Sequence, residues 1–89
     1  KYFSKKLAIS GALFPNPAVE NTTVLFESNA ELRLSVYDIL GREVMSIPAE
    51  FDAYNQCNLS TSQLLQGVYF VILRDGNDKL VFNEKLLKR

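Results

Sequence analysis

Ten carboxylates, one thiol and no imidazole bound the chemistry open to this chain. The acids are Glu20, Glu27, Glu31, Asp38, Glu43, Glu50, Asp52, Asp75, Asp78 and Glu84. They fall along the chain as a solvated surface would carry them, and no two are marked as the partners of a glycosidase pair. The missing histidine removes the commonest general base, the commonest metal ligand and every nucleophile–histidine arrangement. Cys57 has no second cysteine, so it forms neither an intrachain disulfide nor a cysteine metal site. It reads as a small buried apolar residue and not as a reactive thiol. Asp75-Gly76-Asn77-Asp78 gathers three oxygen side chains, but calcium takes about six to eight oxygens and the distal glutamate of a binding loop is missing. A plain hairpin turn is the better reading. The expectation is a non-catalytic chain with no metal and no cofactor.

Charge narrows the partners. Lys plus Arg equals Asp plus Glu at ten each, so no net field draws in nucleic acid or an anionic membrane. The one local bias is the basic end, Lys85, Lys88 and Arg89. It is either a solubilising edge, since lysines keep an exposed strand from pairing with stray chains, or an end displayed to a receptor. Lys1 to Lys6 followed by LAISGALF imitates a signal peptide. Its apolar run of about eight residues is near the low end for such regions, however, and it meets Pro-Asn-Pro without a small-x-small cleavage site. A flexible approach or a first strand fits better. The chain opens on lysine and not methionine, which is expected of a piece of a longer precursor. No run nears the roughly 18 apolar residues of a membrane span.

The elements that must position these residues read as β almost throughout. The chain has 89 residues, 47% of them apolar, with six Phe and four Tyr. That suits one domain hiding roughly 60–65% of its unfolded surface. Leu32, Leu34 and Val36 alternate with Arg33, Ser35 and Tyr37, the period of a half-buried strand. Thr22 to Phe26 is a second strand, and Ser28-Asn29-Ala30 between the two has hairpin length. Leu40-Gly41 reverses the chain into Val44, Met45 and Ile47, and Pro48 ends that strand or confines it to an edge. The stretch from Ala49 to Asn58 is vague, with Phe51 and Tyr54 as its expected buried members. Ser60 to Leu65 suggests one capped helical turn ending before Gly67. Val68 to Leu73 is apolar on both faces and predicts a central strand covered on both sides. After the Asp75–Asp78 turn comes a return strand from Leu80, Val81 and Phe82 to Leu87. The sum is an all-β, immunoglobulin-like antiparallel β-sandwich of about seven strands.

Pro15-Asn16-Pro17 stiffens the approach to the first firm strand. Each proline fixes its own φ and extends the residue before it, while Asn16 is placed to bond nearby backbone and shape a turn. The order of features carries more information than any one of them. FPNPA at Phe14 to Ala18 precedes a β-branched strand, then VYDILGREV at Val36 to Val44, then LSTSQLLQGVYFVIL at Leu59 to Leu73 and a last strand with a basic end. In this order and spacing the chain resembles the C-terminal sorting domain of type IX secretion cargo from Bacteroidetes.

The resemblance implies a division at residues 1–12, a linker or cleavage-region approach, and 13–89, the sorting domain. It also implies a larger precursor with an upstream passenger, transit through the periplasm, passage through the outer-membrane translocon, and cleavage by a cell-surface sortase with attachment to the cell surface. By the same resemblance Pro15, Asn16 and Pro17 shape the leading turn, Gly41 serves a hairpin, and Gly67 with Tyr69 starts the central strand. The final strand, Leu80, Val81, Phe82, Lys85, Leu86, Leu87, Lys88 and Arg89, carries recognition by the translocon. Two other readings compete. One is a fibronectin-like or carbohydrate-binding interaction module, against which the absence of tryptophan counts mildly. The other is self-association through an exposed edge strand.

Overall fold

The computed structural model describes residues 11–89. The sequence readings that concern residues 1–10 lie outside them. Seven strands form two antiparallel sheets: β1 (Ala12–Phe14), β2 (Asn21–Leu25), β3 (Leu32–Asp38), β4 (Glu43–Ala49), β5 (Gln56–Ser60), β6 (Gly67–Arg74) and β7 (Leu80–Lys88). One sheet runs β1-β2-β5 and the other β4-β3-β6-β7. Second with fifth and third with sixth is the strand pairing of immunoglobulin-like sandwiches. The fold class therefore agrees with the reading from periodicity.

Alternation along each strand explains the core. Val24, Leu34, Val36, Leu59, Val71, Leu73 and Leu86 are all inside, with Leu13, Leu32, Cys57, Tyr69 and Phe82 around them. Phe26 and Phe82 meet edge to face, with ring centroids 5.7 Å apart, and so tie the end of β2 to β7 on the opposite sheet. The Tyr69 hydroxyl, carried inward by β6, donates to the Leu65 carbonyl at 2.7 Å and leaves no buried polar group unpaired there.

The structure corrects four local readings. Ser28-Asn29-Ala30 is not a hairpin, because β2 pairs with β1 and β5 while β3 lies in the other sheet; the segment crosses between sheets. Ser60 to Leu65 forms no helical turn. Ser60 ends β5, and a single reversal follows in which the Leu64 amide donates to the Thr61 carbonyl. Tyr54 is 77% exposed and not buried, since it sits at a loop tip, whereas Phe51 does pack against the core. β6 is central in its sheet, but its outer face is open: Phe70 is 36% exposed, because only one sheet packs against it. Pro48 does lie on an edge strand, β4, as its missing N–H requires.

One loop geometry recurs three times. Asp38, Asp52 and Asp75 each accept, on one carboxylate oxygen, the amides two and four residues ahead, at 2.8–3.1 Å. In each loop the aspartate amide also donates to the carbonyl four residues on, and its carbonyl accepts from the amide three residues on. The third residue ahead has positive φ: Gly41 at 82°, Asn55 at 62° and Asp78 at 65°. Glycine, asparagine and aspartate tolerate that region best.

Candidate recognition edge

β7 ends the four-stranded sheet, so one side of its backbone pairs with β6 and the other faces outward. Its side chains alternate except at Glu84. Phe82, Leu86 and Lys88 are buried, whereas Asn83, Glu84, Lys85 and Leu87 are exposed, as is Arg89 just beyond. Val81 lies at the register shift opposite Leu73 and Arg74 and is half-buried, and Leu80 is exposed.

The outward side of β7 is met by the segment that joins β1 to β2. Asn16 Nδ2 donates to the Lys85 carbonyl at 2.8 Å, and the Leu87 amide donates to Asn16 Oδ1 at 2.9 Å. The Ala18 amide then donates to the Leu87 carbonyl, and the Arg89 amide to the Ala18 carbonyl, both at 2.8 Å. Ala18 and Lys88 thus form a parallel bridge. The primary amide of Asn16, with one donor and one acceptor, takes the place that a residue's own backbone would occupy in a further strand. Asn16 was expected to bond nearby backbone; its partners lie 69 and 71 residues away instead. Pro15 and Pro17 flank it and direct it, and the Pro15 carbonyl accepts from the buried Thr22 hydroxyl at 2.9 Å.

The basic end divides as well. Lys85 and Arg89 are exposed, but Lys88 is only 7% exposed. Its stem lies inside and its ammonium donates to the Val19 carbonyl. The reading of Lys85, Lys88 and Arg89 as one displayed cluster therefore needs correction. Side-chain parity turns Lys88 to the inner face, and residues 18 and 19 cover it. Ala18 was read only as the end of FPNPA and Val19 not at all, and nothing local in them signals a partner so far along the chain.

The remaining site candidates are structural. Gly41 makes the β3–β4 turn, where Arg42 also pairs with Asp38 at 2.8 Å. The Arg42 and Leu40 amides and the Arg42 side chain hold the Asp38 carboxyl below its usual range. The Lys79 and Asn77 amides do the same to Asp75. Asp75 thus turns its Oδ1 to its own loop. Gly67 opens β6, and Tyr69 follows inside. Cys57 is buried, and burial pushes its thiol up. A shallow bowl on the outer face of the larger sheet carries Arg33 and Arg74 beside Glu43, Asp75 and Asp78. Its charges oppose one another, and Arg74 donates to the Tyr37 hydroxyl. Among the described residues no three His, Cys, Asp or Glu side chains gather to hold a metal ion, and no helix is long and apolar enough to cross a membrane.

Residues 12–89 match the family model described as secretion system C-terminal sorting domain. The chain is also similar to an endo-acting ulvan lyase of Formosa agariphila, with 27% identity over 82 residues. That stretch is 92% of this chain but 16% of the lyase, so the chain spans about a sixth of the relative's length.

Proposed function

This chain belongs to the secretion system C-terminal sorting domain family, and from that membership we propose how its fold works as an address. A domain of this kind is a C-terminal secretion signal of the type IX system and is not itself catalytic. It implies a passenger to be carried and export to the cell surface or extracellular space of a Bacteroidetes bacterium.

Within that role, the reading is that the precursor crosses the periplasm and the outer-membrane translocon then engages β7. A machine that accepts unrelated passengers must read a feature common to them, and backbone at a sheet edge with a few anchoring side chains is such a feature. The observation that carries this reading is the position of β7 as the last strand of its sheet, with Lys85, Leu87 and Arg89 turned outward. Cleavage by a cell-surface sortase in or before residues 1–12, followed by surface attachment, extends the same reading. The start of β1 at Ala12 leads directly from that stretch.

Deleting Leu80 to Arg89 is a poor test, because it strips Phe82 and Leu86 from the core. The better test fuses residues 12–89 to a periplasmic reporter in a type IX-competent bacterium and compares the wild type with a Lys85→Glu/Arg89→Glu variant. Surface reporter is expected to fall severalfold while the thermal unfolding of the purified domain is unchanged. Wild-type display by the folded variant would overturn the role given to β7.

A further inference from the structure

The outward edge of β7 is already occupied over the residues that would be read. The Asn16 side chain and the Ala18 backbone together make four hydrogen bonds, to the Lys85 and Leu87 carbonyls and the Leu87 and Arg89 amides. A partner that adds a strand to this edge must take those same four groups. We propose that the segment Pro15–Ala18 is a displaceable guard, and that the partner is an acidic extended strand that pairs parallel to β7 in its place. This rests on the reading of β7 as the recognition element.

Three observations define the occupant. Its direction follows from the Ala18–Lys88 bridge, which is parallel, so the groups of β7 are already aligned for a parallel neighbour. Its charge follows from the exposed side chains at this end of β7, where Lys85 and Arg89 outnumber the carboxylate Glu84. The Lys88 ammonium is bonded to the Val19 carbonyl just beyond the guard and has further protons for a second acceptor. A carboxylate on the incoming strand supplies it, and the charge-assisted bond is stronger than the one to a neutral carbonyl. The guard's hold is uneven: both Asn16 bonds are solvent-exposed, and exposed hydrogen bonds open locally without global unfolding, whereas Ala18 is fully buried and leaves only as the incoming strand takes over its two bonds. The folded, unengaged domain thereby keeps its signal edge closed to stray strands, a known hazard of edges.

The test uses the full chain and a short fluorescent peptide alternating valine with aspartate, followed by fluorescence anisotropy. The competent state is the one with the guard displaced, so apparent affinity is reduced by its population. Asn16→Ala removes half the guard's bonds and is expected to bind the peptide about tenfold more tightly than wild type, an effect of that population alone. Lys88→Met in the same background is expected to lose most of that gain, and a peptide with lysine in place of aspartate is expected not to bind. Equal affinity of wild type and Asn16→Ala, equal binding of the two peptides, or concentration-dependent dimerisation of Asn16→Ala that the peptide does not reverse would each overturn the proposal. A second measurement needs no variant. In the wild type, the Leu87 and Arg89 amides are expected to exchange with solvent at least about tenfold faster than the Val71 amide inside β6. Exchange at the same slow rate would mean that the guard never opens by itself. The reporter assay for β7 reads export and not peptide binding, so the two ideas fail separately.

Discussion

Gly11 passes so close to Phe82 that a β-carbon added there would stand 2.2 Å from the ring, with the Leu25 carbonyl 3.1 Å away on another side. Gly11, just before β1, therefore lies directly against Phe82 of β7. Gly11 and β7 thus share one packing contact.

Gly11→Ala is expected to destabilise the fold by about 1–3 kcal/mol, because Phe82 is buried and wedged against Phe26 and cannot swing clear cheaply. Gly76→Ala, where nothing lies within 4 Å, should stay within about 0.5 kcal/mol. Urea unfolding of both variants checks the contrast, and equal effects would contradict the packing described.

Neighbouring leucines on β7 should behave oppositely. Leu86→Ala empties a fully buried site and is expected to cost about 2–5 kcal/mol. Leu87→Ala trims an outward side chain and should cost less than about 1 kcal/mol. An export defect of Leu86→Ala would thus report unfolding, whereas one of Leu87→Ala would report lost recognition; thermal melts separate the two.

Asp38 and Asp75 have folded carboxyl groups that titrate below their usual range, since loop amides favour the ionised form. Their contribution is complete above the unfolded carboxylate range near about 4 and disappears as pH falls through the lower folded values. Asp75→Asn should therefore melt below wild type near about pH 7, and the gap should narrow as the pH approaches about 2. Calorimetry across that interval measures it, and a gap that widens in acid would reverse the assignment.

Cys57 is buried, and burial disfavours its thiolate. Alkylating reagents are expected to leave it unmodified in the native domain near about pH 8 and to label it fully in concentrated urea. Rapid labelling of the folded chain would mean that the thiol is accessible.

Much of this was written locally. The alternation through Leu32 to Tyr37, the reversal at Gly41 and the turn at Asp75–Asp78 depend on neighbours within a few residues, so residue types alone state them. The three aspartate loops share a legible signal, aspartate followed three residues later by glycine, asparagine or aspartate. Only two of the three were read as reversals, because the loop at Asp52 joins strands of different sheets and no alternating run flanks it on both sides.

Other features had no local signature. Which strands pair across a gap of thirty residues or more depends on how two amphipathic sheets bury their inner faces together, and that made Ser28-Asn29-Ala30 a crossing and not a hairpin. The fate of the basic end was decided in the same way. Composition established three cations there, but only the tertiary structure, by bringing Asn16, Ala18 and Val19 against β7, made Lys88 an inward group and left Lys85 and Arg89 outside. A side chain's neighbours along the chain set its conformation, whereas its accessibility belongs to whatever packs over it, and here that cover comes from the opposite end of the domain.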